Sequence, residues 1–394
     1  MVAFILLALG AGCGAPGGGE AGNAGRLYVA DAAAPAITSI DVAAGRVAGH
    51  APLPGGATPQ QLAVGAAGSL LVLSTSPAAE GQLLHVQPAP ILPAPNTTPS
   101  GATGDAGTTN GTSPPPRLGG WRTAAVPLNA PTYHGLLAAD GGRWAAVVHD
   151  PGTGDPALPA ARCILQLVDV PARTVARRQS VCAPGELARS LALSEGQDGQ
   201  VVYLGIQGRA SQRAQGTQAG EATAPHRLIA LEAASGAVVA VLPLSGPPGH
   251  VLLAGTTGGP GRRLYVVEVL SGPEQDPPGP QRSRLLGLNP ATLEAETEHP
   301  LRFTPSRLAF APHGGHAYAL SGNAVIHLDL ATGRETTLLS LPEPGIALAV
   351  SDPYLFVAQA YSGELWAVDR RRGRPARRLA AGRHPVAMAL VSAT

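Results

Sequence analysis

The chain has 394 residues, of which 44% are hydrophobic and only 13% are charged, and its formal net charge is +1 at pH 7. This length can bury a large core, either as two or three ordinary domains or as one repeat architecture. The near-zero charge excludes the overall basic field that is typical of nucleic-acid binding proteins. With 51 Gly and 39 Pro, the composition predicts many turns and few long helices.

The first residues predict an export signal followed by a lipid-attachment site. The apolar run Val2 to Leu9 is too short to span a bilayer as a helix but fits the hydrophobic region of a secretory signal. Cys13 follows in GAGC, which resembles a bacterial lipobox, where the Cys is lipidated and becomes the mature N-terminus. The usual Leu stands one place early, and residues 1–12 contain no Lys or Arg. Either the start codon is assigned too late or the resemblance is accidental.

A Gly-rich stretch after Cys13, GAPGGGEAGNAG, predicts a flexible tether. We therefore interpret residues 1–24 as signal, lipobox and tether, and residues 25–394 as one folded unit. The expected location is outside the cytoplasm, in a bacterial cell envelope, with the protein anchored to the membrane through Cys13.

The two other cysteines, Cys163 and Cys182, predict a disulfide. They are equidistant from the midpoint of a turn predicted at residues 171–174, so they are expected to face each other across an antiparallel hairpin. Two buried free thiols are the alternative. A metal site is disfavoured because no second Cys or His lies at ligand spacing. A disulfide would agree with an extracytoplasmic location.

A four-strand unit recurs seven times and carries the fold prediction. In the first copy, residues 26–64, a strand with an aromatic residue is followed by a strand ending in Asp, a turn, a third strand and a Pro-containing fourth strand; we label these B, C, D and A. The seven B strands are predicted at residues 26–31, 69–74, 143–149, 200–206, 263–269, 316–321 and 354–359. This pattern predicts an all-β, seven-bladed β-propeller of four-stranded antiparallel blades. The final A strand, residues 385–392, is predicted to pair with the first blade and close the ring.

The repeats resemble a known family. RLYVAD and ITSIDVAAGRV near the N-terminus, with GRHPVAMAL near the C-terminus, are similar to the YVTN repeat: a Tyr-Val strand, a strand ending in Ile-Asp, an Ala-Gly turn and a Pro-led apolar strand. The resemblance extends over nearly all of the chain from Gly25, and the middle copies are degraded. It implies an exported or surface binding scaffold, and it carries no catalytic motif.

Insertions into the repeats are candidates for interaction sites. Residues 88–118, rich in Pro, Thr and Gly, separate strands C and D of blade two and are predicted to be disordered; a partner-binding or modified segment is the alternative. Three further insertions, residues 150–161, 207–225 and 271–281, separate strands B and C of blades three, four and five. Because these loops leave the same face, we expect a raised wall there that binds a protein or another envelope component, with neutral loop drift as the alternative.

The candidate chemical groups do not form a catalytic set. Four Asp residues, Asp41, Asp169, Asp329 and Asp369, each end a C strand, where a turn-capping role is expected. The candidate channel-mouth residues are His134, His250 and His384, near the starts of A strands in repeats two, four and seven. Their separation disfavours shared metal or haem binding. No cofactor is predicted.

A basic run surrounds the C-to-D hairpin of the last blade. It contains Arg370, Arg371, Arg372, Arg374, Arg377 and Arg378, with Arg383 beyond it. A solvated hairpin face is the simplest interpretation, and contact with anionic lipid headgroups is the alternative.

Taken together, these features predict a monomeric, lipid-anchored binding or assembly scaffold that does not bind nucleic acid and has no catalytic activity. The alternative is a propeller enzyme, such as a lactonase-like hydrolase or a metal-dependent enzyme, that uses the channel mouth. Few carboxylates are expected at that mouth, which disfavours the enzyme.

Overall fold

The computed structural model describes residues 25–75, 81–88, 121–128, 135–139, 142–149, 163–183, 186–196, 199–208, 224–254, 263–270, 282–312 and 314–391. Within these ranges the chain forms twenty-eight β-strands and two single turns of 3-10 helix. The strands form seven four-stranded sheets. Among the described residues, no helix is long and apolar enough to cross a membrane.

The strand bounds follow the repeat. Blade one contains β1 (Arg26–Asp31), β2 (Ala36–Asp41) and β3 (Arg46–Pro52), and blade two contains β4 (Thr58–Val64), β5 (Leu70–Thr75), β6 (Gly81–Gln87) and β7 (Arg122–Pro127). Blade three contains β8 (Leu136–Ala139), β9 (Trp144–His149), β10 (Ile164–Asp169) and β11 (Thr174–Ser180), and blade four contains β12 (Leu187–Gly196), β13 (Gly199–Gln207), β14 (His226–Glu232) and β15 (Val238–Leu244). Blade five contains β16 (Pro248–Ala254), β17 (Arg263–Leu270), β18 (Arg282–Leu288) and β19 (Ala295–Leu301), and blade six contains β20 (Arg307–Phe310), β21 (His316–Ser321), β22 (Ala324–Asp329) and β23 (Glu335–Ser340). Blade seven contains β24 (Gly345–Val350), β25 (Tyr354–Gln359), β26 (Glu364–Asp369) and β27 (Arg374–Ala380), and the last strand is β28 (Pro385–Val391).

The blades form a closed ring around a central channel. Each sheet has one innermost strand at the channel. The innermost strands contact one another around the ring in chain order, and the last of them contacts the first: β4, β8, β12, β16, β20, β24 and β28. β28 pairs antiparallel with β1, so that Leu390 lies opposite Leu27 and Met388 opposite Val29. The predicted seven-bladed propeller and its closure by the last strand are therefore confirmed.

The hydrophobic core lies in layers between adjacent blades. On β1, Leu27 and Val29 face blade seven and pack in a layer with Phe356, whereas Tyr28 and Ala30 face blade two. Because both faces of an inner strand are buried, its sequence is almost continuously apolar instead of alternating. The outer strand β27 has five exposed and two half-buried residues, and none of its seven residues is fully buried.

The Asp residues that end C strands cap the following turns, as predicted. The Oδ1 atom of Asp369 accepts hydrogen bonds from the N–H groups of Arg371 and Arg372, at 2.9 and 3.0 Å. Asp329 makes the equivalent contacts to Ala331 and Thr332. Backbone hydrogen bonds lower the pKa of both carboxyl groups. These side chains therefore have a turn-forming role, and they lie at separate turns around the ring.

A disulfide joins Cys163 to Cys182, with 5.2 Å between the Cα atoms. The predicted pairing is confirmed, but the two residues are not directly opposed. Ile164 lies opposite Ser180, and a β-bulge after Leu167 shifts the register by one residue. The backbone partner of Cys163 is consequently Val181, whose N–H donates to its carbonyl. The bond forms across a diagonal, just beyond the end of β11.

One buried carboxylate fastens the closing strand to the first blade. Asp31 is 3% exposed and ends β1. Its Oδ2 accepts from the N–H of Arg383 at 2.7 Å and its Oδ1 from the N–H of His384 at 3.1 Å. Oδ1 also accepts from Ala33 at 2.9 Å. Asp31 therefore links the turn after β1 to the loop before β28.

Candidate functional sites

The propeller has two different faces. Because neighbouring strands are antiparallel, the B-to-C connections and the connections between blades lie on one face, here named the BC face. The A-to-B and C-to-D connections lie on the other, named the AB face. The inner strands begin at the BC face, so their first residues surround one mouth of the channel.

The BC face carries the three long B-to-C connections predicted from the sequence. β9 and β10, β13 and β14, and β17 and β18 are joined by residues 150–163, 208–225 and 271–281, whereas blade six needs only residues 322–323. Most of the predicted segments 150–161, 207–225 and 271–281 lie outside the described residues, as does the insertion 88–118 except for its first residue. The strands on either side fix where each segment joins the fold.

A collar of bulge residues surrounds the channel near its BC-face mouth. Five inner strands carry a β-bulge close to their first residue, and the unpaired bulge residues are Gln60, Arg189, Gly249, Ile346 and Val386. Each of them is half-buried, whereas the next residue along the strand is fully buried. Their side chains lie against the neighbouring strand or the core: Gln60 donates to Thr75, Arg189 donates to Gln207, and Ile346 and Val386 pack against hydrophobic clusters.

Two buried cationic or titratable side chains lie at this mouth in neighbouring blades. His250 on β16 and Arg307 on β20 are 5% and 7% exposed. Nη1 of Arg307 donates to the carbonyl of Ser306 at 2.5 Å. The His250 ring is hydrogen-bonded to the backbone of Pro305 and Ser306. Both side chains therefore meet at the segment that leads into β20.

Burial and Arg307 together change the protonation of His250. Burial is the larger effect, the positive charge of Arg307 adds to it, and the pKa of His250 falls to about 4. The imidazole is therefore neutral at pH 7. Burial also lowers the pKa of Arg307, to about 10. This value is still well above 7, and the guanidinium is therefore charged at pH 7.

The structure describes two of the three predicted histidines, His250 and His384, and places them in different blades. His134 lies outside the described residues. Because the A strand of each repeat joins the sheet of the next blade, His250 lies in blade five and His384 in blade one. His384 is exposed, and its backbone N–H contacts Asp31. In the described part of the chain, no three His, Cys, Asp or Glu residues are grouped as metal ligands.

Two buried carboxylates near the BC face form ion pairs. Glu186 forms an ion pair with Arg227. Glu268, which is fully buried, accepts from the N–H of Gly246 at 2.7 Å and from Nε of Arg284 at 2.5 Å. These pairs and Arg307 were not foreseen from the sequence, because each depends on contacts between strands or blades that no local pattern records.

The predicted basic run forms an exposed patch on the AB face, with one exception. Arg371, Arg372, Arg374, Arg377 and Arg378 are exposed. Arg370 instead donates to the hydroxyl of Tyr318 at 3.0 Å and forms an ion pair with Asp352. It therefore joins blades six and seven and does not belong to the exposed patch. The predicted lipidation site, Cys13, lies outside the described residues.

Solved structures with the same fold align over almost the whole chain. AztD from Citrobacter koseri, in its apo form, is 16% identical, with a TM-score of 0.52 over 94% of this chain and 99% of that one. A functionally unknown protein from Desulfotomaculum acetoxidans is 13% identical, with a TM-score of 0.60 over 94% and 100%. The dihydro-heme d1 dehydrogenase NirN, solved in complex with DHE, is 14% identical, with a TM-score of 0.52 over 94% and 75%.

At these identities the likeness shows the fold alone. No protein-family model matches the chain, and no curated protein sequence matches it. The chain is accordingly placed among the seven-bladed β-propellers, without assignment to a sequence family.

Proposed function

We propose that the protein is an exported, lipid-anchored propeller that acts as a binding or assembly scaffold, with its partner on the BC face. The observation that carries the proposal is the clustering of long B-to-C connections in three consecutive blades, where blades one, six and seven have short ones. Insertions on one sector of a rigid ring are a common way to build a recognition surface. The resemblance to YVTN repeats and the disulfide agree with an extracytoplasmic scaffold.

The site of the proposed anchor leaves the BC face free. β1 begins at the AB face, where the carbonyl of Gly25 accepts from the N–H of Val42 in the C-to-D turn of blade one. A chain tethered through Cys13 enters the fold there. The AB face would then be turned toward the membrane and the insertions away from it.

The exposed Arg patch lies beside this entry point. Nη1 of Arg377 reaches the carbonyl of Ala43 in the same turn of blade one, at 3.4 Å. We expect the patch to contact anionic lipid headgroups, each guanidinium near the surface contributing about 1 kcal/mol.

Vesicles test the orientation. Binding to anionic vesicles should weaken when Arg371, Arg372 and Arg374 are changed to Ser. A matched set of exposed residues on the BC face serves as the control: Arg282, Arg302 and Arg383. Equal effects of the two sets, or no salt dependence, would contradict this orientation.

Shortened variants test the partner surface. Replacing residues 150–162, 209–223 and 271–281 by two-residue turns like that of blade six should abolish saturable binding of a partner captured from the native envelope. A variant shortened between β6 and β7, on the AB face, should bind normally and controls for shortening itself. Unchanged binding by the first variant would contradict the proposal.

Membrane fractionation tests the proposed lipid anchor. Metal analysis and a lactonase assay test whether the protein is a scaffold or an enzyme. The Cys13→Ser variant should leave the membrane fraction and remain folded. Bound metal together with lactonase turnover by the purified protein would favour the alternative, a propeller enzyme that uses the channel mouth.

A further inference from the structure

We propose that His316 and His327, on neighbouring strands of blade six, together bind one divalent transition-metal ion such as Zn²⁺. His316 is the first residue of β21, and His327 lies near the end of β22. These strand ends are at the AB face, opposite the long B-to-C connections. The site is therefore independent of the partner surface proposed above, and the two proposals can fail separately.

The register of the sheet places both imidazole rings on the same side of one hairpin. Tyr318 lies directly opposite His327, and His316, two residues before Tyr318, lies opposite Asp329. Because alternate residues of a strand share a face, both histidines lie on the face where Tyr318 packs in one cluster with Trp366 of blade seven. The ring centroids of His316 and His327 are 5.0 Å apart, with an angle of 43° between the ring planes.

This separation suits one shared ion. With Zn–N distances of about 2.0–2.1 Å and tetrahedral geometry, two imidazoles on the same ion have ring centroids about 5 Å apart. His327 is half-buried, with its ring centroid 5.3 Å from that of Tyr318, whereas His316 is exposed and has room to turn a nitrogen toward the ion. In the described part of the chain no third His, Cys, Asp or Glu joins the pair as a metal ligand. Water would therefore fill the remaining coordination positions.

The ring nitrogens of the pair are not committed to other groups. Among the described residues, neither ring takes part in a hydrogen bond. The ring of His50, by contrast, is hydrogen-bonded to Thr38, and the ring of His226 accepts from the N–H of Gly208. Imidazole binds a metal only in its neutral form. Burial lowers the pKa of His327, and the neighbouring His316 lowers it further, so that His327 is neutral at pH 7.

The charges around the pair include one group that favours a cation and one that opposes it. The carboxylate of Asp329 raises the proton affinity of His327, and the guanidinium of Arg370 in blade seven lowers it. Arg370 also forms an ion pair with Asp352, which offsets its charge. A metal ion at the two histidines therefore does not face an uncompensated positive charge.

Calorimetric titration of the full chain, without an affinity tag and at about pH 7.5, tests the site with Zn²⁺. The wild type should bind one Zn²⁺ saturably and should not bind Mg²⁺, which prefers oxygen ligands. His316→Gln and His327→Gln should each weaken Zn²⁺ binding by about tenfold or more, because each removes one of two protein ligands. His384→Gln is the matched control: it removes an exposed imidazole in blade one and should leave the affinity within about twofold of the wild type.

The ¹H resonances of the imidazoles give a second readout. One equivalent of Zn²⁺ should shift the resonances of His316 and His327 together and leave that of His384 in place. If His327→Gln does not fold, His316→Gln, at an exposed position, and these resonances decide the matter. The proposal is overturned if the wild type does not bind Zn²⁺ saturably, if His384→Gln loses as much affinity as His316→Gln, or if bound Zn²⁺ leaves the two resonances unchanged.

Discussion

Replacement of Asp31 by Ala should weaken the closed ring more than the loss of any one turn cap. The change removes the acceptors of the N–H groups of Arg383 and His384, which hold the closing strand, and of Ala33 in the turn after β1. Hydrogen bonds to a charged acceptor are worth about 1.5 to 3 kcal/mol each. Water can replace part of these interactions in the variant. We therefore expect the free energy of unfolding to lose about 3 kcal/mol from the two long-range bonds and about 1 kcal/mol from the local bond.

Urea unfolding measures the effect, and Asp329→Ala is the matched control. Asp329 also accepts two backbone N–H bonds, but both belong to its own exposed turn, so its loss should cost only about 1 kcal/mol. The expected difference of about 3 kcal/mol corresponds to roughly a 150-fold change in the folding equilibrium. Equal losses for Asp31→Ala and Asp329→Ala would refute the idea that closure depends on this carboxylate.

Three further predictions follow from described contacts. Changing Cys163 and Cys182 together to Ala should lower the free energy of unfolding by about 3 kcal/mol relative to the oxidised wild type, as measured by urea unfolding. An unchanged free energy would mean that the disulfide does not stabilise blade three. The pKa of His250 is lowered to about 4 in the folded protein, so unfolding is accompanied by proton uptake between about pH 4 and pH 6.5. The free energy of unfolding should therefore fall by about 3 kcal/mol as the pH drops through that range. His250→Gln should remove this part of the pH dependence, and a slope that persists in the variant would contradict the prediction. Gly382→Ala should destabilise the protein in thermal unfolding, because φ is +139° there and a Cβ would lie 2.3 Å from Oδ2 of Asp31; a normal melting temperature would show that this loop adapts.

The sequence predicts the fold well because each repeat carries its own local signals. Strand, Asp, Gly turn and Pro recur within about forty residues, and each hairpin pairs with its neighbour in the chain. The closing strand could also be predicted, since a repeat that starts with B and ends with A leaves one inner strand missing. Cys163 and Cys182 were correctly paired, but the β-bulge after Leu167 has no clear sequence signal, so their register was wrong by one residue.

The candidate sites were harder to predict because they depend on contacts between blades. His250 was noted as a channel-mouth residue, but its neighbour Arg307 lies 57 positions later on another blade and belongs to no motif. Arg370 has the same sequence surroundings as the exposed Arg371, yet Tyr318 and Asp352 hold it at the boundary between blades six and seven. The position of an Arg within a basic run does not show which partners the neighbouring blade offers.

Pairing of β28 with β1 also sets the order in which the molecule can be completed. Six sheets are built from strands that follow one another in the chain, so each can form as soon as its own four strands are available. The first sheet is different: β1, β2 and β3 are made first, but the inner edge of β1 stays open until β28 has been synthesised. Contacts so distant in sequence form slowly, and an open strand edge can pair with other chains. The first sheet to be started is therefore the last to be finished, and until then its inner edge is open to pairing with other chains.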